Sequence, residues 1–233
     1  MIKRKVNLLK YGDVIMNTSE SINSLESMLP CNTDWNAIKW HKVEKYANKL
    51  QKRIYRAACL KDYHKVKILQ RMFVHSEAVL LLSIRKVTFL NSGRHTSGID
   101  GFKAISTEER AKLVDTMKNM NIKLHNPKPV YRRYIKKKNG KLRSLGIPTI
   151  KDRIYQEIIR MALEPQFEAN FESTSYGFRP KRSCHDATSR IMENLISRKG
   201  DWVFEGDFEA CFDTLSHDFI LNEIKGFPAY DIS

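Results

Sequence analysis

The sequence is defined first by what it lacks. Its 233 residues hold no run of 18 apolar side chains, and the longest apolar stretch, Ala78 to Ser83, is far too short to span a bilayer. No apolar segment follows the charged start Met1–Lys5, so the pattern of a secretory signal is missing. Only four cysteines occur, Cys31, Cys59, Cys184 and Cys211, and none stands in Cys-x-x-Cys spacing. That argues against a zinc site and a disulfide scaffold and for a reducing compartment, bacterial cytoplasm or an organelle rather than secretion. Acidic residues are scarce: 26 Asp and Glu face 41 Lys and Arg, a formal charge of +15. A basic excess of this size points to a polyanionic partner, nucleic acid before a membrane surface. Internal repeats and low-complexity segments are also missing. The remaining composition is ordinary, 42% hydrophobic and 29% charged, which excludes disorder of the whole chain and suits one domain or two small ones.

The first 32 residues are polar, with few aromatics, and read as a flexible N-terminus. From Asp34, a plausible N-cap, apolar residues recur at helical spacing: Trp35, Ile38, Val43, Ala47, Leu50, Ile54 and Ala57. A second helical pattern runs from Val66 to Val87, and together the two read as a helical hairpin. The glycine-rich stretch Asn91–Gly101 reads as a loop and Thr107–Asn119 as a helix. Val130–Lys137 and Leu142–Ile147 read as strands joined at Asn139-Gly140, a type I′ turn signal. A helix is expected from Asp152 to Leu163, bent or ended near Pro165. A capping box at Ser183–Asp186 opens a further helix. Trp202–Phe204 reads as a short strand running into Asp207, and another helix starts near Ser216.

Three stretches carry chemistry. Lys128–Arg143 holds eight cations in sixteen residues and no acid: Lys128, Arg132, Arg133, Lys136, Lys137, Lys138, Lys141 and Arg143. Tyr131 and Tyr134 interleave with them. Such a hairpin suits a phosphate backbone or a triphosphate; an edge protected by lysines needs far fewer charges. The segment Phe204–Asp213 places carboxylates at Glu205, Asp207, Glu209 and Asp213 after an apolar run. Mg²⁺ is bound by one or two such carboxylates plus substrate phosphates, and the plainer reading is loop and cap residues. Ser175–Asp186 combines a Gly177/Pro180 turn with basic and aromatic residues. It fits either a nucleic-acid contact, with Arg179 as its cation, or a structural turn.

Ser97-Gly-Ile-Asp-Gly101, Gly140-Lys-Leu-Arg-Ser-Leu-Gly-Ile-Pro148, Asp152-Arg153, Ser175-Tyr-Gly-Phe-Arg-Pro180, Arg182-Ser183, His185-Asp186-Ala187 and Asp207-Phe-Glu-Ala-Cys-Phe-Asp213 with His217 occur in order. This set resembles group II intron reverse transcriptases, the intron-encoded maturases. Leu50-Gln-Lys-Arg-Ile54 and Val87-Thr88 resemble their N-terminal extension. The resemblance covers roughly residues 33 to 225. It implies an α+β fold: a helical N-terminal extension (33–100), then the fingers (101–200) and the start of the palm (201–233) of a right-hand polymerase. It implies RNA-directed DNA synthesis on an RNA template from a DNA primer, with intron RNA as a further partner and Mg²⁺ as cofactor. Asp207 then resembles the first catalytic palm aspartate and a metal ligand, with the backbone carbonyl of Phe208 beside it. Phe212 resembles the aromatic gate that selects dNTPs, Arg143 the fingers arginine that binds the triphosphate, and Lys137 its companion. A strict two-residue turn at Asn139-Gly140 would set Arg143 opposite Lys136. Lys128, Arg132, Arg133, Lys136, Lys138, Lys141 and Arg179 are the expected RNA contacts.

The departure from the family pattern lies beyond Asp207. The second carboxylate segment, Tyr-x-Asp-Asp, normally follows the first by many tens of residues, whereas 26 residues follow Asp207 here and none of them is Asp-Asp. The expectation is a truncated polymerase, its N-terminal portion, inactive alone and possessing RNA binding, with a separately encoded palm-and-thumb segment as partner. The alternative is a split or degenerate maturase-like RNA-binding module that does not polymerise.

Overall fold

A computed structural model describes residues 34–118, 125–136, 138, 140–196, 204–208 and 211–225. The expected flexible N-terminus lies outside the described residues, as do Lys137, Asn139, Trp202 and Val203. The fold is mixed, mostly helical with one small sheet. Among the described residues no helix is long and apolar enough to cross a membrane. The chain divides into two compact units, Met1–Lys49 with His75–Ile158, and Leu50–Val74 with Ile159–Ser233.

Helix α1 spans Trp40–Cys59. Val43, Ala47, Leu50, Ile54, Ala57 and Ala58 are its buried stripe, spaced three or four apart so that they share one face. Asp34 does not cap this helix. Its carboxylate accepts the Asn36 N–H at 2.9 Å and closes a separate turn over residues 35–37, so α1 starts six residues later. The second helical pattern is broken in two, α2 Tyr63–Val74 and α3 Glu77–Arg85, with Ser76 extended (ψ 128°) at the break. A five-residue π-turn, Lys86–Leu90, follows α3, and the Asn91 N–H reaches the Lys86 carbonyl at 2.9 Å.

In the first unit, α3 is buried on nearly every side (Ala78, Val79, Leu80, Leu81, Ser83, Ile84), the pattern of a helix surrounded by protein. Helix α4, Thr107–Lys118, buries Leu113, Val114 and Met117. It is opened by a capping box that the sequence reading overlooked. The Ser106 hydroxyl accepts the Glu109 N–H at 3.2 Å, and the Glu109 carboxylate accepts the N–H groups of Ser106 and Ile105 at 2.9 and 2.8 Å. Strands β1, Tyr131–Lys136, and β2, Leu142–Ile147, form the antiparallel hairpin.

Helix α5, Ile150–Asn170, continues through Pro165 and does not end there. Proline removes the N–H that the carbonyl four residues earlier would accept. That carbonyl, Met161 O, instead accepts from Gln51 Nε2 at 3.0 Å, and its neighbour Ala162 O from the buried Gln70 Nε2 at 3.2 Å. Two side-chain amides from distant sequence thus re-satisfy the helix backbone. Helix α6, Cys184–Ile196, starts at the expected capping box: Ser183 Oγ accepts the Asp186 N–H at 3.3 Å, and Asp186 Oδ2 accepts the Ser183 N–H at 2.7 Å. The single turn α7, Cys211–Thr214, and helix α8, His217–Lys225, complete the described elements.

Of the expected strand Trp202–Phe204 only Phe204 is described. Phe204–Phe208 is irregular and exposed, and no strand among the described residues pairs with it.

Candidate nucleic-acid interface

The hairpin carries the densest charge. Its ladder pairs Ile135 with Arg143 and Lys136 with Leu142, leaving five residues between the strands. This is one position away from the register of a strict two-residue turn. Gly140 adopts φ +80°, the left-handed residue that a longer hairpin loop requires. Arg143 therefore faces neither Lys136 nor Lys137 across the ladder.

Strand alternation sorts the side chains into two faces. Tyr131, Arg133, Ile135, Arg143, Leu145 and Ile147 share one; Arg132, Tyr134, Lys136, Leu142 and Ser144 share the other. Arg133 and Arg143 are diagonal neighbours on the first face. Every β1 residue is exposed, and only Leu145 and Ile147 in β2 are partly covered. Arg132, Arg133, Lys136, Lys138 and Arg143 form no ion pair among the described residues. They are cations available to a ligand.

The base of the hairpin is fixed by two residues to which the sequence reading gave no separate role. Arg153 donates from Nε to Pro148 O at 3.0 Å, from Nη1 to Gly93 O at 3.2 Å and from Nη2 to Thr96 O at 2.7 Å. One guanidinium thus ties the loop Asn91–Gly101 to the end of β2 and the start of α5. Gly98 lies so close to this junction that a Cβ there would meet the Thr149 backbone at 2.7 Å. Beside it, Asp152 accepts the Thr149 hydroxyl and pairs with His125 Nε2, both at 2.6 Å. Burial alone would raise the Asp152 carboxyl pKa; the Thr149 and His125 hydrogen bonds outweigh it and hold the pKa below its ordinary value. The Thr149-x-x-Asp152 spacing is a visible cap signal, whereas the partners of Arg153 lie up to 60 residues away and leave no local trace.

In the second unit Arg179 departs from its expected role as an RNA contact. Its side chain is only 5% exposed. Nε and Nη2 grip the two Glu168 oxygens at 3.1 and 2.5 Å, and Nη1 donates to Glu172 O and Ser175 O at 2.6 and 2.8 Å. All three nitrogens are committed, so no face is left for a phosphate. These donors hold the Glu168 carboxyl below its ordinary pKa. Arg182, half-buried, donates to Ser173 O at 2.7 Å and lies over the Tyr176 ring. The two clamps hold a loop with Phe178 at φ 57° and Lys181 at φ 59°, a conformation that costs a non-glycine residue about 1–2 kcal/mol. Phe178 is fully exposed.

Asp207 is exposed, and its Oδ1 accepts the Phe208 N–H at 2.9 Å. Among the described residues no group of three His, Cys, Asp or Glu side chains stands close enough to hold a metal ion. Phe212 belongs to α7, and its side chain lies outside what is described.

Residues 35–117 match the family described as the N-terminal domain of reverse transcriptase, and residues 135–231 match reverse transcriptase (RNA-dependent DNA polymerase). Similar proteins include the protein YkfC of Escherichia coli, 38% identical over 152 residues, covering 62% of this chain and 39% of that protein. The group II intron-encoded protein LtrA of Lactococcus lactis is 42% identical over 143 residues, covering 59% and 22%. Maturase-like protein 1 of Euglena gracilis is 28% identical over 190 residues, covering 79% and 41%. The chain thus spans less than half the length of each of these relatives.

Proposed function

We propose that this chain, which belongs to the family of group II intron-encoded reverse transcriptases and maturases, supplies the RNA-binding and triphosphate-binding part of an RNA-directed DNA polymerase that also serves intron splicing and mobility. The observation that carries this reading is the hairpin: five exposed Arg and Lys side chains without ion-pair partners among the described residues, on a ribbon whose base is locked by Arg153. Guanidinium groups match phosphate oxygens in a two-pronged fork. The face holding Arg143 and Arg133 is assigned to the triphosphate of an incoming dNTP, together with Lys137. The face holding Arg132 and Lys136, with Lys128, Lys138 and Lys141, is assigned to intron RNA or the RNA template. Arg179 is left out of the contact set because its guanidinium is committed to Glu168.

On this reading residues 33–100 are the extension, 101–200 the fingers and 201–233 the start of the palm, in bacterial cytoplasm or an organelle. Asp207 and the Phe208 carbonyl are this chain's share of the ligands for Mg²⁺, which in such polymerases stabilises the oxygens of phosphoryl transfer. Phe212 is the sugar gate. These 233 residues contain one of the two carboxylate segments, so a polypeptide of them alone is expected not to extend a primer and to need a palm-and-thumb segment as partner.

The test is single-nucleotide extension of a DNA primer on an RNA template, with this chain supplied alone and then with a palm-and-thumb segment of a related enzyme. Activity only in the combination, with Arg143→Ala raising the dNTP concentration needed about tenfold and Asp207→Ala abolishing the product, supports the reading. Extension by the chain alone, or full activity of Arg143→Ala, contradicts it.

A further inference from the structure

Two helices of the second unit leave their apolar stripes in solvent. On α6, Ile191, Met192, Leu195 and Ile196 recur at offsets of three and four and share one side of the helix. Each is between 49% and 77% exposed. Asp186, Ser189, Arg190 and Glu193 take the opposite side. On α8, Ile220, Leu221 and Ile224 repeat the pattern, with Leu221 and Ile224 exposed. No residue of either helix is buried, and neither packs along another described element. Helix α2, of similar length and in the same unit, buries Val66, Leu69, Phe73 and Val74. A lone exposed leucine carries no information, whereas a continuous apolar stripe marks a surface that another element covers.

The order of the chain indicates what that element is. Helix α6 is followed by the apolar run Trp202–Phe204 and then by α8. Helix, apolar run, helix is the pattern of helices laid on the face of a sheet in which the run is one strand. The described residues of this unit are all helix and loop; the one sheet among the described residues is the hairpin of the first unit. The unit therefore presents the helical layer of a two-layer structure and no described sheet for it to cover. Each of the relatives named above carries more than half of its own length outside the matched stretch.

We infer that the stripes of α6 and α8 are the docking surface for the strand-bearing palm segment of an intron-encoded reverse transcriptase, packing on one face of its sheet. The inference rests on the reading of the chain as part of such a polymerase and adds where the rest of the enzyme attaches. The stripes carry no polar atom in their side chains, so they call for an apolar sheet face. The Asp186, Arg190 and Glu193 side stays in water and fixes which side of α6 turns to the partner.

The test is hydrogen exchange read by mass spectrometry on the full 233-residue chain, alone and mixed with the segment of LtrA that begins where its match with this chain ends. Amides of Cys184–Ile196 and His217–Lys225 are expected to exchange about tenfold more slowly in the complex. Ile191→Asp/Leu195→Asp is expected to weaken the complex about a hundredfold, because docking would bury two unpaired carboxylates. Both positions are exposed in the chain alone, so its circular dichroism stays that of the parent. Ser189→Asp, on the polar side, binds as the parent does. If the mixture extends a primer while these amides keep their free rates, the docking inference falls and the polymerase reading stands. If the amides are protected and the Asp variant dissociates the complex but no product forms, the docking stands and the polymerase reading falls. No complex at about 10 μM of each partner, or a dimer of this chain alone that Ile191→Asp/Leu195→Asp dissociates, overturns the inference.

Discussion

In the hairpin Tyr131–Ile147, Arg132, Arg133 and Arg143 stand exposed, with no carboxylate to hold them among the described residues. In the loop Phe171–Asp186, Arg179 is buried against Glu168 and two carbonyls, and the half-buried Arg182 binds a third carbonyl. In sequence both stretches are basic, punctuated by aromatics and glycine. The difference lies in what surrounds them. The hairpin segment holds no acid over sixteen residues, so its cations repel one another and stay in solvent. The loop lies within reach of Glu168 and of free carbonyls at the end of α5, and an arginine that finds a carboxylate and two carbonyls gains charge-assisted hydrogen bonds. Arginine count alone does not identify a phosphate site; the supply of competing acceptors does.

The largest expected effect falls on the hairpin. Replacing Arg132, Lys136 and Lys138 together by Ala lowers affinity for single-stranded intron RNA about a hundredfold near 0.1 M salt, with the melting temperature unchanged because these side chains hold nothing in the fold. Filter binding and a thermal melt check both halves. Arg179→Ala gives the opposite pair. It leaves Glu168 without its partner and two carbonyl contacts unmade, so the melting temperature falls by several degrees while the folded protein binds RNA within about twofold of the parent.

Arg153→Lys is expected to destabilise by about 2–3 kcal/mol, since one ammonium cannot reach three carbonyls arranged for a fork. Chemical denaturation measures it, and a loss under about 0.5 kcal/mol would remove Arg153 as the lock at the hairpin base.

Acid separates the regions more weakly. The Glu168 and Asp152 carboxyls both have folded pKa values below their ordinary ones. The folded state therefore holds fewer protons than the unfolded chain. Their contribution is complete above the ordinary carboxylate pKa of about 4 and is lost as pH falls through the lowered values. A melt series from pH 7 to 3 is expected to be flatter at the acid end for Arg179→Met, which removes the partner that lowers Glu168. The smallest effect is a gain: Phe178→Gly relieves the positive φ and stabilises by up to about 1 kcal/mol.

The sequence made much of the interface readable and hid its connections. The two strands, the Ser183–Asp186 cap and the cation density follow from local rules and appear where those rules place them. The hairpin register did not follow, because Asn139-Gly140 suits a two-residue turn while the ladder closes around five residues with Gly140 left-handed. The passage of α5 through Pro165 depends on Gln51 and Gln70, about a hundred residues away. Arg179 was misread because its competitor, Glu168, lies eleven residues earlier on a different element.

The central claim, that the hairpin and not the arginine loop carries the phosphate contacts, is tested most directly by the salt dependence of RNA binding. For single strands, the slope of log K against log[salt] is about −0.7 per phosphate neutralised. Losing Arg132, Lys136 and Lys138 is therefore expected to make the slope shallower by about 2, whereas Arg179→Ala, studied below its melting temperature, leaves it unchanged. A slope that does not move when the three hairpin cations are removed, or one that becomes shallower by a comparable amount when Arg179 alone is removed, would contradict the account.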